Sequence, residues 1–370
     1  MEKIRCVIMR GGTSKGVFFR ENDLPCDIEE RKRVILKVMG SPDKRQIDGL
    51  GGADILTSKV AIIGPPSKED ADLDYSFGQI GINEPIIDWG FVCGNLSAAV
   101  GPFAVEEGLI KAQGLRTSVK VYCPNVGKYL TIEFPTKEGK VVYEGDYVID
   151  GVPGSGAKIA LDFSDTAGML TGKLLPTGNR KDVIEVKNIG KIEVSIIDAS
   201  MPVAHIRARD FGLMGTESAV ELDANKELLH TLEQIRVAVA RLIKLDENNY
   251  FMPAVALVQE PVPWKNSKTG EMMNPENITI LSKLYGARMM HKAYPGTASI
   301  ATAVAVRLKG SVVHEFIPPS AADSETITIG HFAGLISVDV ICREKDSKFW
   351  IEKAVAHRTA RRIMEGYVYL

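Results

Sequence analysis

Cys93-Gly94-Asn95-Leu96-Ser97-Ala98-Ala99-Val100-Gly101-Pro102-Phe103 and Pro295-Gly296-Thr297-Ala298-Ser299-Ile300-Ala301-Thr302-Ala303-Val304-Ala305 follow one pattern. In each, a Gly is followed by Asn or Thr and then by a run of small residues suited to a buried helix. Gly before an Asn or Thr cap marks a helix start, and the N–H groups exposed there attract anions. Two such starts predict two helix N-termini facing one acidic substrate, and only the first carries a thiol.

Outward from these stretches the chain reads as two matching halves. Met201-Pro202-Val203-Ala204-His205-Ile206-Arg207 can be laid over Ser14-Lys15-Gly16-Val17-Phe18-Phe19-Arg20. Ala208 to Gly212 then follows in the way Glu21 to Pro25 does. The predicted fold is α+β: two pseudo-symmetric domains, each a mostly antiparallel sheet wrapped around its small-residue helix. Ala and Ser let sheet side chains approach such a helix from all sides, so it needs no polar stripe. The expected domains are 1–182 and 183–370, with 345–370 a candidate to pack back on the first. Gly- and Pro-rich stretches at 151–156 and 171–179 read as linker. Helices are expected at 29–39, 223–243 and 350–365. Strands are expected at 57–63, 119–121, 129–134, 140–143, 312–317, 326–329 and 335–342.

The bulk numbers bound the class. A chain of 370 residues is long for one core, so two domains are the default. A hydrophobic share of 45% with net charge −2 gives no bias towards nucleic acid or an anionic membrane. No run of about 18 apolar residues predicts a membrane span. Met1-Glu2-Lys3-Ile4-Arg5 leads straight into a strand-like run, and no secretory signal fits it. Five scattered cysteines without a CxxC pair argue against a zinc site and a disulfide scaffold, and point to a reducing cytoplasm.

Few residues carry chemistry. Cys93 precedes a helix start, where the dipole is worth about 0.3–1 kcal/mol to a negative charge, which suits the thiol to proton transfer. Lys59 opens an apolar strand after a Gly51-Gly52 loop. Pointed inward, it would lose its proton more easily and become a usable base. Thr13-Ser14-Lys15-Gly16 and Gly49-Leu50-Gly51-Gly52 lack the order of a P-loop or a dinucleotide fingerprint. They read instead as turns offering N–H groups and hydroxyls to a carboxylate, with Ser14 the foremost hydroxyl. His291 stands five residues before Gly296, placed to meet a carboxylate. His331 is a weaker candidate, and His205, His230, His314 and His357 read as surface residues. No ligand set for a metal and no nucleophile elbow is present.

The runs Met9 to Gly16, Asp48 to Asp54, Thr57-Ser58-Lys59, Cys93-Gly94-Asn95, Leu174 to Asn179, His291 to Ala298 and Arg358 to Met364 together resemble the methylaconitate and methylitaconate isomerases, the PrpF-type proteins. The resemblance runs nearly end to end. It implies a diaminopimelate-epimerase-like fold with the active site in the cleft of two similar domains. It also implies a proton shift, without cofactor or metal, on a small unsaturated di- or tricarboxylic acid. Lys59 and Cys93 are then the proton acceptor and donor. Ser14, His291 and the positions Gly51, Gly94, Asn95, Gly296 and Thr297 hold the substrate. Pro295 stands where a two-thiol racemase of this fold has its second cysteine, which disfavours racemisation. Methylitaconate, methylaconitate or aconitate, and oxalomesaconate stay open as substrates. A non-catalytic carboxylate binder or aconitase accessory protein is the alternative. Oligomeric state, a homo-oligomer included, stays open.

Overall fold

The computed structural model describes residues 3–187, 189–346 and 348–370. Met1 and Glu2 of the N-terminal reading lie outside them. The chain forms two compact units, one running through Asp162 and taking in His357–Leu370, the other spanning Phe163–Ala356. The division comes earlier in the chain than the 182/183 boundary read from the sequence. The Gly-rich stretch after Phe163 is tied into the second unit through buried Asp198. Its carbonyl accepts from the Gly168 amide at 2.7 Å, and its carboxylate accepts from the Leu170 and Thr171 amides at 2.9 and 2.7 Å.

Each unit builds its sheet by the same succession of pairings. In the first, Lys3–Gly11 pairs antiparallel with Ser14–Arg20, which runs parallel to Lys59–Gly64. Lys59–Gly64 is antiparallel to Leu73–Ile80, which is parallel to Arg116–Cys123, itself antiparallel to Lys128–Lys137. In the second, Gly190–Ala199 is antiparallel to Met201–Arg207, which is parallel to Ala254–Gln259. Ala254–Gln259 is antiparallel to Ile280–Gly286, then come a parallel pairing to Thr326–His331 and an antiparallel one to Gly334–Lys345. The overlay of 201–207 on 14–20 corresponds to two strands of 7 residues, each followed by a 3-10 turn, Glu21–Asp23 and Ala208–Phe211.

Side-chain alternation gives each sheet two faces. In the first unit the helix Ile28–Met39 places Val34, Ile35, Val38 and Met39 against Val17, Phe19, Val60 and Ile62. Asp27 caps its start by accepting the Glu30 amide, and Gly40 ends it in the left-handed region at φ 68°. In the second unit Lys226–Leu242 packs on Ala204, Ile206, Val255 and Leu257 in the same way. The opposite faces meet the small-residue helices, as where Phe18 lies 5.5 Å from Phe103, ring centroid to centroid.

The structure corrects several elements. The first small-residue helix is two short ones, Gly94–Ser97 and Val100–Glu106. Pro102 has no N–H to give the Ala98 carbonyl four residues back, and its ring crowds that carbonyl, so the turn breaks at Ala98-Ala99. Its counterpart Gly296–Arg307 has no proline and runs unbroken. The helix read at 223–243 is split into Ala219–Ala224 and Lys226–Leu242 at Asn225, whose side chain caps the second by accepting the Leu228 amide at 3.0 Å. Residues 312–317 hold a 3-10 turn, His314–Phe316, rather than a strand. The helix read at 350–365 is instead the strands Lys348–Arg358 and Ala360–Tyr369.

Candidate active site

Strand alternation places Lys59. Val60 and Ile62 face the Ile28–Met39 helix, so Lys59 faces the other way, towards the small-residue helix start. Gly16 leaves room for that approach. A Cβ there would stand 2.8 Å from Leu96 Cδ2 and 3.0 Å from the Lys59 carbonyl oxygen. The loop before the strand is held by its own polar groups. Asp54 accepts the Leu56 amide at 2.8 Å, and Gln46 Oε1 accepts the Ala53 amide at 2.8 Å and the Ser58 hydroxyl at 2.6 Å. The Gly51 amide donates to the Met39 carbonyl at 3.2 Å, so that glycine anchors the loop to the end of a helix.

Lys59 is only 5% exposed. Its Nζ donates to Gln79 Oε1 at 2.5 Å, interacts electrostatically with Cys93 and lies 5.1 Å from the centroid of the Phe77 ring. Gln79 sits opposite Lys59 across the ladder, and its Nε2 donates to the Ser58 and Ile55 carbonyls at 2.9 and 3.3 Å. Those two bonds fix the amide so that its oxygen faces the lysine. Burial pushes the Lys59 ammonium below the ordinary lysine range, opposed by Cys93 and by the Asp54 carboxylate.

Cys93 is the cap residue of the Gly94–Ser97 turn and is 8% exposed. Its sulfur accepts the Leu96 amide at 3.5 Å, and its carbonyl accepts the Ser97 amide and hydroxyl at 2.9 and 2.8 Å. Gly94 and Asn95 supply the first amides of that turn, and these have no acceptor among the described residues. The Asn95 side chain is committed: Nδ2 donates to Thr13 Oγ1 at 3.0 Å and Oδ1 accepts from Arg358 Nε at 3.1 Å. Gly11 and Gly12 make this contact possible, since a Cβ on either would stand 2.4 Å from the Asn95 carbonyl oxygen or 2.2 Å from its Oδ1. Ser14 shares the sheet face of Gly16, and its buried Oγ has no hydrogen-bond partner among the described residues.

Lys59, Cys93, Gly94 and Asn95 thus come together in the first unit, while His291, Gly296 and Thr297 belong to the second. The His291 amide donates to the Leu284 carbonyl at 2.8 Å and its Nδ1 accepts the Ala293 amide at 3.2 Å. Thr297 Oγ1 donates to Met201 Sδ at 3.1 Å. The repeat also shows what the second unit lacks. By register, Ala254 occupies the place of Lys59, Gly286 that of Gln79 and Pro295 that of Cys93.

His205 is a correction, since it is fully buried rather than on the surface. Its Nδ1 donates to the Ser195 carbonyl at 3.1 Å and its Nε2 accepts from Thr302 Oγ1 at 3.0 Å. Burial pushes Cys123 and Cys342 up to about 12, away from thiolate chemistry. Two residues at the cluster were missed. Gln79 continues the buried face of Tyr75 and Phe77, and a polar residue extending an apolar alternation was its signal. Arg358 alternates with the buried Ala354, Ala356 and Ala360, a period of two hidden when the segment is taken for a helix.

The family model described as "PrpF protein" matches residues 1–370. A 3-methylitaconate isomerase from Eubacterium barkeri is 45% identical, with 100% of this chain and 97% of that protein aligned. A 4-oxalomesaconate tautomerase from Pseudomonas putida is 38% identical over 99% of this chain and 96% of that one. Among solved structures, a methylitaconate-delta-isomerase superposes with TM-score 0.85 at 45% identity, covering 100% of this chain and 96% of the other. A hydroxyproline epimerase from Agrobacterium vitis shares the fold at TM-score 0.58 and 11% identity, covering 99% and 92%. Matched along its whole length by the family model and this similar to a named isomerase, the chain belongs to the PrpF protein family and is an isomerase.

Proposed function

We propose that this isomerase moves a proton, and with it a double bond, in a small unsaturated di- or tricarboxylic acid, with 3-methylitaconate the first candidate. The observation that carries the proposal is the buried lysine held by Gln79 Oε1 and interacting electrostatically with the buried Cys93 thiol. A thiol and a lysine that gives up its proton readily are the two groups an allylic shift needs. Neutral Lys59 Nζ takes the proton from the carbon that bears a carboxylate and adjoins the double bond. The electron pair spreads into that carboxylate and across the double bond as a dienolate. The Cys93 S–H then gives its proton to the far carbon, and the double bond re-forms one position along. The ammonium is now paired electrostatically with a thiolate, and a proton passing from nitrogen to sulfur restores both groups. The open amides of Gly94 and Asn95 are suited to the charge that builds on the carboxylate. Gln79 holds the lysine in place, and Ser14 offers its unpartnered hydroxyl to the substrate. His291, Gly296 and Thr297 are proposed as carboxylate contacts on the strength of the sequence.

A tautomerisation of a keto acid uses the same proton chemistry, and the relative named as a 4-oxalomesaconate tautomerase supports it as the second reading. Proton NMR in D₂O with methylitaconate, 2-methylaconitate, cis- and trans-aconitate and oxalomesaconate separates the two. Deuterium entering methylitaconate with loss of its methylene signal is the expected result. Exchange with oxalomesaconate alone moves the assignment to the tautomerase. Binding without exchange in any acid overturns the enzyme mechanism proposed.

A further inference from the structure

We propose that Arg358 is the residue that takes a carboxylate of the substrate, an inference that rests on the Lys59 and Cys93 reading above. Arg358 is 4% exposed in the first unit. Its Nε donates to Asn95 Oδ1 at 3.1 Å and its Nη1 donates to the His357 carbonyl at 2.7 Å. Nη2 has no acceptor among the described residues, and no carboxylate pairs with this guanidinium there. The groups whose charge reaches it are Tyr147 and Cys93, both weak acids. A buried cation without a counter-ion is costly, and a fold that keeps one is prepared for an anion that arrives from outside.

Two anions compete for the role: the Cys93 thiolate and a substrate carboxylate. The Cys93 sulfur already receives the Leu96 amide and has the Lys59 ammonium as an electrostatic partner. The free edge of the guanidinium, Nη2 with the remaining Nη1 N–H, is a parallel pair of donors of the kind that matches two carboxylate oxygens. Asn95 sets its direction, because the same amide is pinned to Thr13 on the hairpin. One side chain thus ties the thiol-bearing turn, the glycine hairpin and the arginine together. The carboxylate it holds would sit beside the carbon that Lys59 deprotonates.

The test is calorimetric titration with 2-methylsuccinate, a saturated dicarboxylate with no double bond to shift. Arg358→Gln should weaken binding roughly 10–100-fold, the scale of lost hydrogen bonds to a charged group. Arg358→Lys keeps the charge without the fork and should recover part of it. Should the Gln variant fail to fold by circular dichroism, the Lys variant decides, with about tenfold weaker binding expected. A dissociation constant within twofold of the parent overturns the proposal. So does unchanged binding accompanied by a shifted pH profile of Cys93 alkylation, which would make Arg358 a partner of the thiolate. Lys59→Met separates the two readings: it should bind 2-methylsuccinate as the parent does and turn nothing over. Turnover surviving in Lys59→Met would refute the lysine assignment while leaving the Arg358 binding result to stand by itself.

Discussion

Lys59 has to lose a proton before it can accept one, so activity depends on how its neighbours treat the ammonium. Burial drives the proton off, while Gln79 Oε1 and the Cys93 sulfur hold it on. kcat/KM should therefore rise with pH through a limb that lies below the ordinary lysine value of 10.5. Gln79→Leu removes one acceptor from the ammonium and should move that limb to lower pH, read from a pH–rate profile. A limb that moves upward would show that Gln79 does not stabilise the charged form. Replacing the base itself should cost at least about 10²–10⁴-fold, the usual worth of a positioned general base. His205 makes the complementary case for stability. Thr302 spends its one hydroxyl proton on His205 Nε2, so Tyr294 must donate to Thr302 at 2.9 Å and Ser282 to Tyr294 at 2.9 Å. This chain fixes a neutral imidazole, and burial lowers its pKa from 6.5 to about 4. The unfolded chain binds the extra proton first, so stability is full above pH 6.5 and falls as pH drops towards 4, by up to about 3 kcal/mol. Urea unfolding at pH 7 and pH 4.5 should show this loss in the parent and a smaller one in His205→Gln.

At the scale of elements, the glycines of the first hairpin set how closely the thiol-bearing turn can approach. Gly11→Ala would place a Cβ 2.4 Å from the Asn95 carbonyl oxygen and 3.0 Å from Leu96 Cα, both backbone atoms. Backbone cannot rotate away, so the turn must shift. Overpacking of this kind costs typically about 1–3 kcal/mol. The variant should lose both melting temperature and kcat/KM, because Cys93 moves with the turn. Gly286→Ala, whose Cβ would find its nearest atom 4.0 Å away, is the control and should melt with the parent. The same elements show what the sequence could reveal. The two small-residue runs stood out because few structures other than a wrapped helix want so many Ala, Ser and Gly in a row. The repeat was visible in the strand–turn succession at 14–25 and 201–212. The break at Ala98-Ala99 was also legible, since Pro102 was in plain sight. What could not be read was the 350–365 segment. Its Lys, Arg, Glu and Ala residues favour helix, and its strand state comes from partners far away in sequence. Gly334–Lys345 lines one part, and Lys3–Gly11 takes the other along nine residue pairs. Losing that segment to a helix also hid Arg358, since only a strand makes it alternate with small buried residues.

On the scale of the whole chain, a duplicated architecture carries unequal chemistry. Both units repeat the order of strands, the 3-10 turn and the covering helices, yet the lysine, its glutamine and the thiol occur in the first alone. Duplication explains the frame, and substitutions on one sheet face explain the site. The first unit is also discontinuous, and this has a testable consequence. Ala360–Tyr369 covers one side of the Lys3–Gly11 strand, from Lys3 opposite Tyr369 to Gly11 opposite Ala360. It also brings Arg362, which pairs with Glu106 at 3.0 Å and Glu107 at 2.7 Å. Glu107 is nearly covered, with a side chain 2% exposed, and forms ion pairs only with Arg362 and Arg5 among the described residues. Ending the chain after Ala356 would strip the ladder from Lys3–Gly11, leave a long bare strand edge and take one of the two arginines from a buried carboxylate. Arg358 would leave with it. The truncated protein should therefore aggregate on expression and show no binding of 2-methylsuccinate in any soluble fraction. Stopping after Arg361 would keep Arg358 and Ala360 and should give a partly soluble chain that still binds. Sedimentation of the two lysates, followed by calorimetry on the supernatants, checks both outcomes. A soluble, fully active chain ending at Ala356 would mean that the returning strand serves neither the fold of the first unit nor its site.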